Sequence, residues 1–383
     1  MTTFGMLVAF FAGLVIGGLA MSATALWRSR SERRGPYDAL VRTAFARIAA
    51  DDHAGAAESL RQACRIDSGD DAVYLLLGSQ LRRSGDASRA AQVADLLLAR
   101  RDQRPEIAAA AWLLKGRLAE AVERYDDALA AYAIAAERDP GSVQALVARG
   151  RLLSRMRRWP DAIEVGDRLT KLNPQRGKLI AARRRVLLAT ELLAEGRAKE
   201  ALSEAETALS DVDDLAAAHL STGDAKFQLG RVGEAARSWQ TSARLAPAIS
   251  PLVVDRLEQL GAVSGDRDRA RQFATEVAEG GGSWRVVAWL AADALARGAP
   301  LEAQRWCEEL ERVAPRSASA ARLRARCDAS MSESSPPPRL AATLAHWSDE
   351  PPWTDPWSCR RCGHRDEEFE WRCSSCHAWG SSH

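Results

Sequence analysis

AAAWLLKGRLAEAVERYDDALAAYAIAAERDP, residues 109–140, reads as two short helices joined by a turn. Ala128 lies in the second helix, Gly116 twelve places before it in the first, and Pro140 twelve places after it. The same spacing recurs along the chain. Ala57, Ala90, Ala128, Ala162, Ala201, Ala235, Ala270 and Ala303 are separated by 33, 38, 34, 39, 34, 35 and 33 residues, which makes eight copies of a unit of about 34 residues. Twelve places before the alanine stands a small residue in six copies (Gly78, Gly116, Gly150, Ala189, Gly223, Ala291). Five places before it stands glycine in five copies (Gly85, Gly196, Gly230, Gly265, Gly298), and twelve places after it proline in four (Pro140, Pro174, Pro247, Pro315). Small residues let two helices approach closely, glycine supplies the turn between them, and proline cannot continue the second. The unit is a helical hairpin, and the predicted fold is all-α.

Composition agrees. A chain of 383 residues is too long for one compact core, aromatics are 6% and strand-like alternation is scarce before the tail, so an elongated helical array over 38–327 is expected. The intervals of 38 and 39 residues call for extended helices or loops before Ala128 and Ala201. Two copies depart from the pattern, with Phe45 and Glu258 where a small residue is usual. A formal net charge of +2 argues against generic nucleic-acid binding. Cys64, Cys307 and Cys327 are scattered singly, with no disulfide framework, which favours a reducing compartment. No glycine-rich phosphate loop, G-x-S-x-G elbow or H-E-x-x-H occurs, and none of the six histidines is grouped with carboxylates at catalytic spacing; the expectation is a protein that is not an enzyme.

Residues 1–27, MTTFGMLVAFFAGLVIGGLAMSATALW, carry no charge and are long enough to span a bilayer. The basic juxtamembrane segment 28–37 follows, with Arg28, Arg30, Arg33 and Arg34, and places the bulk of the chain on the cytoplasmic side. A cleaved signal peptide would need basic residues before the apolar stretch, and none precedes it. Gly13 and Gly17 form a G-x-x-x-G ridge, the basis for a possible homodimer. Counting along the first helices puts Arg82, Arg83, Arg117, Arg151, Arg155 and Arg183 on the concave side of the stack, and Leu252, Ala288, Trp289 and Ala292 there in later copies. The arginines would grip an acidic segment of a partner; ordinary solvated arginines on amphipathic helices are the competing reading.

Residues 328–356, rich in serine and proline, read as a linker. Beyond it, in 357–383, Cys359, Cys362, Cys373 and Cys376 form Cys-x2-Cys-x10-Cys-x2-Cys. Four thiolates close a tetrahedral site around one soft divalent metal, zinc favoured and iron possible, with no open position. Such a site is structural: some 27 residues cannot bury a sufficient core, and metal binding supplies the missing folding free energy, on the order of 10 kcal/mol in comparable sites. His364 and His377 are read as bystanders or outer-shell groups. A redox-active pair of Cys-x-x-Cys motifs is the rival. Asp366, Glu367, Glu368 and Glu370 between the knuckles would repel phosphates, which argues against a nucleic-acid ribbon.

The residue pattern resembles tetratricopeptide repeats; in the best copy Trp112, Gly116, Tyr125, Ala128, Tyr132, Ala135 and Pro140 stand where that family places them. The resemblance implies a superhelical α-solenoid with a long concave face that binds peptides or protein segments. Anchor, array and four-cysteine tail together are similar to the lipopolysaccharide assembly protein B family of Gram-negative bacteria. The tail CRRCGHRDEEFEWRCSSCHAW matches that family at Cys359, Cys362, Gly363, Trp371, Cys373, Cys376, Ala378 and Trp379. That resemblance implies a rubredoxin-like ribbon docked on the repeats. It further implies a single-pass inner-membrane adaptor linking the committed deacetylase of lipid A synthesis to a membrane-bound ATP-dependent metalloprotease. A general cell-envelope scaffold with another client, or a thiol redox protein, are the alternatives.

Overall fold

The computed structural model describes residues 35–101, 104–266, 268–332, 341, 343, 346, 356–366, 368–380 and 382. The expected anchor over 1–27 lies outside them. Among the described residues no helix is long and apolar enough to cross a membrane. The chain forms two compact units, Met1–Gly177 and Lys178–His383.

Unit 1 is a run of paired helices: α1 (35–49) with α2 (His53–Ile66), α3 (Asp71–Arg83) with α4 (Ala87–Leu98), α5 (Pro105–Ala121) with α6 (Tyr125–Arg138), and α7 (Val143–Arg155) with α8 (Trp159–Leu172). Helix α9 (Pro174–Ala194) begins here and runs into unit 2. Unit 2 continues with α10 (Ala198–Asp211), α11 (Ala216–Gln228), α12 (Val232–Leu245), α13 (Ser250–Ser264), α14 (Asp268–Glu279), α15 (Trp284–Ala296), α16 (Pro300–Val313) and α17 (Ala318–Met331). Among the described residues α1 to α17 make eight hairpins and a closing helix. All eight alanines of the repeat fall in the second helix of a hairpin and are buried.

The two long intervals are accounted for by long first helices, since α5 has 17 residues and α9 has 21. Each of the four prolines stands two residues beyond the helix it follows: α6 ends at Arg138, α8 at Leu172, α12 at Leu245 and α16 at Val313. At the hairpin turns Gly85, Gly196, Gly230, Gly265 and Gly298 all have positive φ, between 69° and 89°. Three copies place other residues in that left-handed turn, Asp51 and Arg157 at φ 57° and Glu123 at φ 60°. Gly116 shows why the first helix needs a small residue: a Cβ there would stand 2.4 Å from the ring of Tyr132, which is fully buried.

Side-chain caps begin several helices of unit 1. Asp70 accepts from the amides of Ala72 and Val73 and from the Tyr37 hydroxyl, so one carboxylate starts α3 and ties α1 to it. In unit 2 Asp224, within α11, ties helices together without capping one. It accepts from Trp239 Nε1 at 2.8 Å and from Arg256 Nε and Nη2 at 2.6 and 2.9 Å, joining α11, α12 and α13.

Three boundaries differ from the sequence reading. Helix already covers 35–37, α17 runs to Met331 rather than stopping at Cys327, and 341, 343 and 346 in the expected linker are helical. Leu323 and Cys327 of α17 are buried in the core that includes Cys307. Phe45, read as standing in the small-residue position of the first copy, is more than half exposed, and its neighbour Ala44 is the fully buried small residue there.

Candidate metal centre and binding groove

The tail of unit 2 is built of two matching knuckles. Strands β1 (Trp357–Ser358) and β2 (Arg365–Asp366) pair antiparallel and bring the chain into the first knuckle. There Cys359 accepts from the Gly363 amide at 2.8 Å and donates its own amide to the His364 carbonyl at 2.8 Å. In the second, Cys373 accepts from the His377 amide at 2.9 Å and donates to the Ala378 carbonyl at 2.9 Å. Gly363 and His377 hold the same place after the second cysteine, and both have positive φ, 73° and 56°.

This geometry converges the four thiols. Cys359 and Cys376 Sγ are 3.6 Å apart, Cys362 and Cys373 Sγ 3.8 Å, and all four lie within 4.8 Å of one another. A tetrahedral ion with metal–sulfur bonds of about 2.3 Å requires sulfurs about 3.8 Å apart, so the donor set fits one metal ion. His364 and His377 are not needed as donors. His364 Nε2 is 3.1 Å from Asp366 Oδ1, and Ser374 Oγ donates to the same carboxylate at 3.1 Å, so Asp366 braces the two knuckles against each other.

One face of this ribbon is an aromatic ladder. Trp357 meets Phe369 edge to face at 5.0 Å, Phe369 meets Trp371 at 5.1 Å, and Trp371 stacks on Trp379 at 6.3 Å. The ladder lies on the repeats of unit 2. Trp371 and Trp379 pack with Ala182, Val186, Ala217 and Ala218 of α9 and α11, while Phe369 and Trp371, like Leu252 and Ala292, pack on the core that includes Val253, Leu257 and Leu290. Ala288 and Trp289, expected on that face, are buried. Arg285 of α15, itself buried, stands 4.1 Å over Trp357 and donates to the Pro356 carbonyl at 3.0 Å. Arg183 stands 5.3 Å over Trp379. Burial and then the nearby Arg372 of the ribbon lower the Arg184 guanidinium to about 10.

The predicted partner-binding arginines therefore divide. Arg82, Arg117, Arg151 and Arg155 line one cavity of unit 1, about 470 Å³, together with Glu120 and Ala121. Arg83 is exposed and does not line it. Arg183 is in unit 2, against the ribbon, because the tail folds over it. Within the cavity Glu120 accepts from Tyr132 Oη at 2.7 Å and from Arg151 Nη2 at 3.1 Å, and Arg155 donates to Tyr125 Oη at 2.7 Å while stacking on that ring at 4.9 Å. Burial, then the hydrogen bond to Glu120, pushes the Tyr132 phenol well above its ordinary range.

Sequence reasoning missed Glu120, Arg285, Trp357 and Phe369. Trp357 had a signal: Trp357, Trp371 and Trp379 are three of twelve tryptophans in the chain, gathered in its last 27 residues. The three remaining thiols are packing groups. Burial raises Cys64 to about 11 and Cys307 to about 12, and Cys327 upward as well.

The tetratricopeptide repeat family model matches residues 113–176 and 186–248. Among solved structures, the C-terminal part of a repeat protein from Cytophaga hutchinsonii is 11% identical, covers 74% of this chain and 98% of its own, with a TM-score of 0.44. A repeat protein from Parabacteroides merdae is 17% identical, covering 63% and 91%, with a TM-score of 0.37. YrrB, a repeat protein with an unusual peptide-binding site, is 19% identical, covering 53% and 99%, with a TM-score of 0.38. No curated protein sequence matches the chain.

Proposed function

We propose that this tetratricopeptide repeat protein is a non-catalytic, membrane-anchored adaptor whose four-thiolate ribbon holds one structural metal ion, zinc in preference to iron. Proteins of such repeats generally mediate protein–protein contacts, some by binding peptides, and the recruiting surface here is the repeat array. The observation that carries the reading is the ribbon itself. A closed set of four thiolates at Cys359, Cys362, Cys373 and Cys376 has no vacant ligand position, and its aromatic ladder is committed to packing on unit 2. When bound, the metal supplies folding free energy to a segment too small to fold alone.

The resemblance of the whole chain to the lipopolysaccharide assembly protein B group supports the finer reading. In it, the apolar 1–27 segment confines the array to the cytoplasmic face of a bacterial inner membrane, and the array brings the lipid A deacetylase to a membrane-bound ATP-dependent protease. Confinement to a surface raises the effective concentration of membrane partners by geometry alone. Crosslinking in the native host followed by identification of captured proteins tests it. Recovery of the deacetylase and the protease is expected, together with a longer deacetylase lifetime when the chain is depleted. Capture of a different client with an unchanged deacetylase lifetime would leave a general envelope scaffold in its place.

A further inference from the structure

We propose that the arginine-lined cavity of unit 1 binds an acidic peptide segment of a partner protein, and that Arg82 of α3 and Arg117 of α5 receive its carboxylates. The inference rests on the adaptor reading and names the chemistry of one of its contacts.

The four guanidinium groups are not equivalent. Arg151 is neutralised by Glu120, which Tyr132 holds in place, and Arg155 is committed to the hydroxyl and ring of Tyr125. These two form a positioned wall. Arg82 and Arg117 have no carboxylate partner among the described residues. Arg82 Nε is buried without a hydrogen-bond partner. Burial above all, and then the nearby guanidinium groups of Arg117, Arg83 and Arg151, weakens the hold of Arg82 on its proton. A carboxylate entering here would relieve that repulsion and make the paired, charge-assisted bonds for which guanidinium is shaped.

The shape of the site selects a peptide over a small anion. The cavity, about 470 Å³, crosses three first helices, α3, α5 and α7. Packed helices lie about 8–10 Å apart, and an extended chain advances about 3.3 Å per residue, so carboxylates three residues apart match successive helices. Glu120 in the wall also disfavours a doubly charged phosphate more than a singly charged carboxylate.

The test is fluorescence anisotropy with the full chain in detergent micelles and a labelled peptide of three Glu-Ala-Ala repeats. Binding is expected to weaken with salt, to vanish when the peptide glutamates are glutamines, to fall at least tenfold in Arg82→Gln/Arg117→Gln, and to stay within twofold in Arg83→Gln. The double variant should unfold no earlier than the native chain, since it removes repulsion; should it fail to fold, Arg117→Gln alone carries the comparison with the same expectation. Undiminished binding by the variant, equal binding of the glutamine peptide, or displacement by inorganic phosphate beyond that by chloride of equal ionic strength would overturn the proposal. No membrane, protease or deacetylase takes part, so a null result here removes the pocket and leaves the adaptor reading to its own crosslinking test.

Discussion

Glu123 and Arg157 occupy the turn that five other hairpins give to glycine, and both hold the left-handed conformation all the same. The hairpin dictates that conformation because the chain must reverse between two packed helices, and a residue with a Cβ adopts it at a cost of about 1–2 kcal/mol. Glycine relieves the clash but loses more chain entropy on folding, about 0.5–1 kcal/mol. Glu123→Gly is therefore expected to stabilise unit 1 by about 0.5–1 kcal/mol, read as a higher midpoint in chemical unfolding; an unchanged or lower midpoint would place the constraint elsewhere. Asp255 of α13 offers a second test. Burial, then Glu258, raises its carboxyl to about 6, and the neighbouring Arg256, committed to Asp224, lowers it only in part. Between about pH 4 and 6 the folded state thus holds a proton that the unfolded chain has lost, so this residue makes stability fall as pH rises through that window. Asp255→Asn should flatten that slope and raise the unfolding midpoint at pH 7. An identical pH profile for the two proteins would contradict the assignment.

Among the elements, the ribbon depends most on something outside ordinary packing. Its strands are two residues each, and its order rests on two knuckles and the four sulfurs they bring together. Removing the metal with a chelator, or replacing Cys373 and Cys376 by serine, is expected to release the ladder of Trp357, Phe369, Trp371 and Trp379 from unit 2. Tryptophan emission should shift to the red and protease cleavage should appear within 357–383, with little loss of helical circular dichroism, because the helices keep their own core. Reversible oxidation of the cysteines with no metal bound would favour redox chemistry instead. The hairpins were legible in advance for a related reason: a buried alanine, a small partner and a terminating proline all act within one repeat, so the spacing that encodes them is local. The intervals of 38 and 39 residues left longer helices or loops open, and the structure resolves them as the longer helices α5 and α9.

At the scale of the whole molecule, burial of charge separates arginines that the sequence treats alike. Arg82, Arg117, Arg151 and Arg155 surround a cavity in unit 1, whereas Arg183 and Arg285 lie against tryptophans of the ribbon in unit 2. A cation over an indole contributes about 0.5–2 kcal/mol according to how far it is desolvated, so the latter pair holds the ribbon rather than a partner. The peptide test is therefore aimed at the cavity of unit 1, where Arg82 and Arg117 have no carboxylate partner among the described residues. By itself the sequence determined the helical class, the period, the turns, the thiol spacing and the arginine content, because each is set by contacts within one hairpin or one knuckle. Only the tertiary structure decided that Glu120 neutralises Arg151, that Arg82 and Arg117 have no carboxylate partner among the described residues, and that Arg183 lies beneath Trp379. Those facts depend on which side chains distant in sequence come within a few ångströms of each other, and Coulomb and desolvation energies are functions of that distance and burial, not of spacing along the chain.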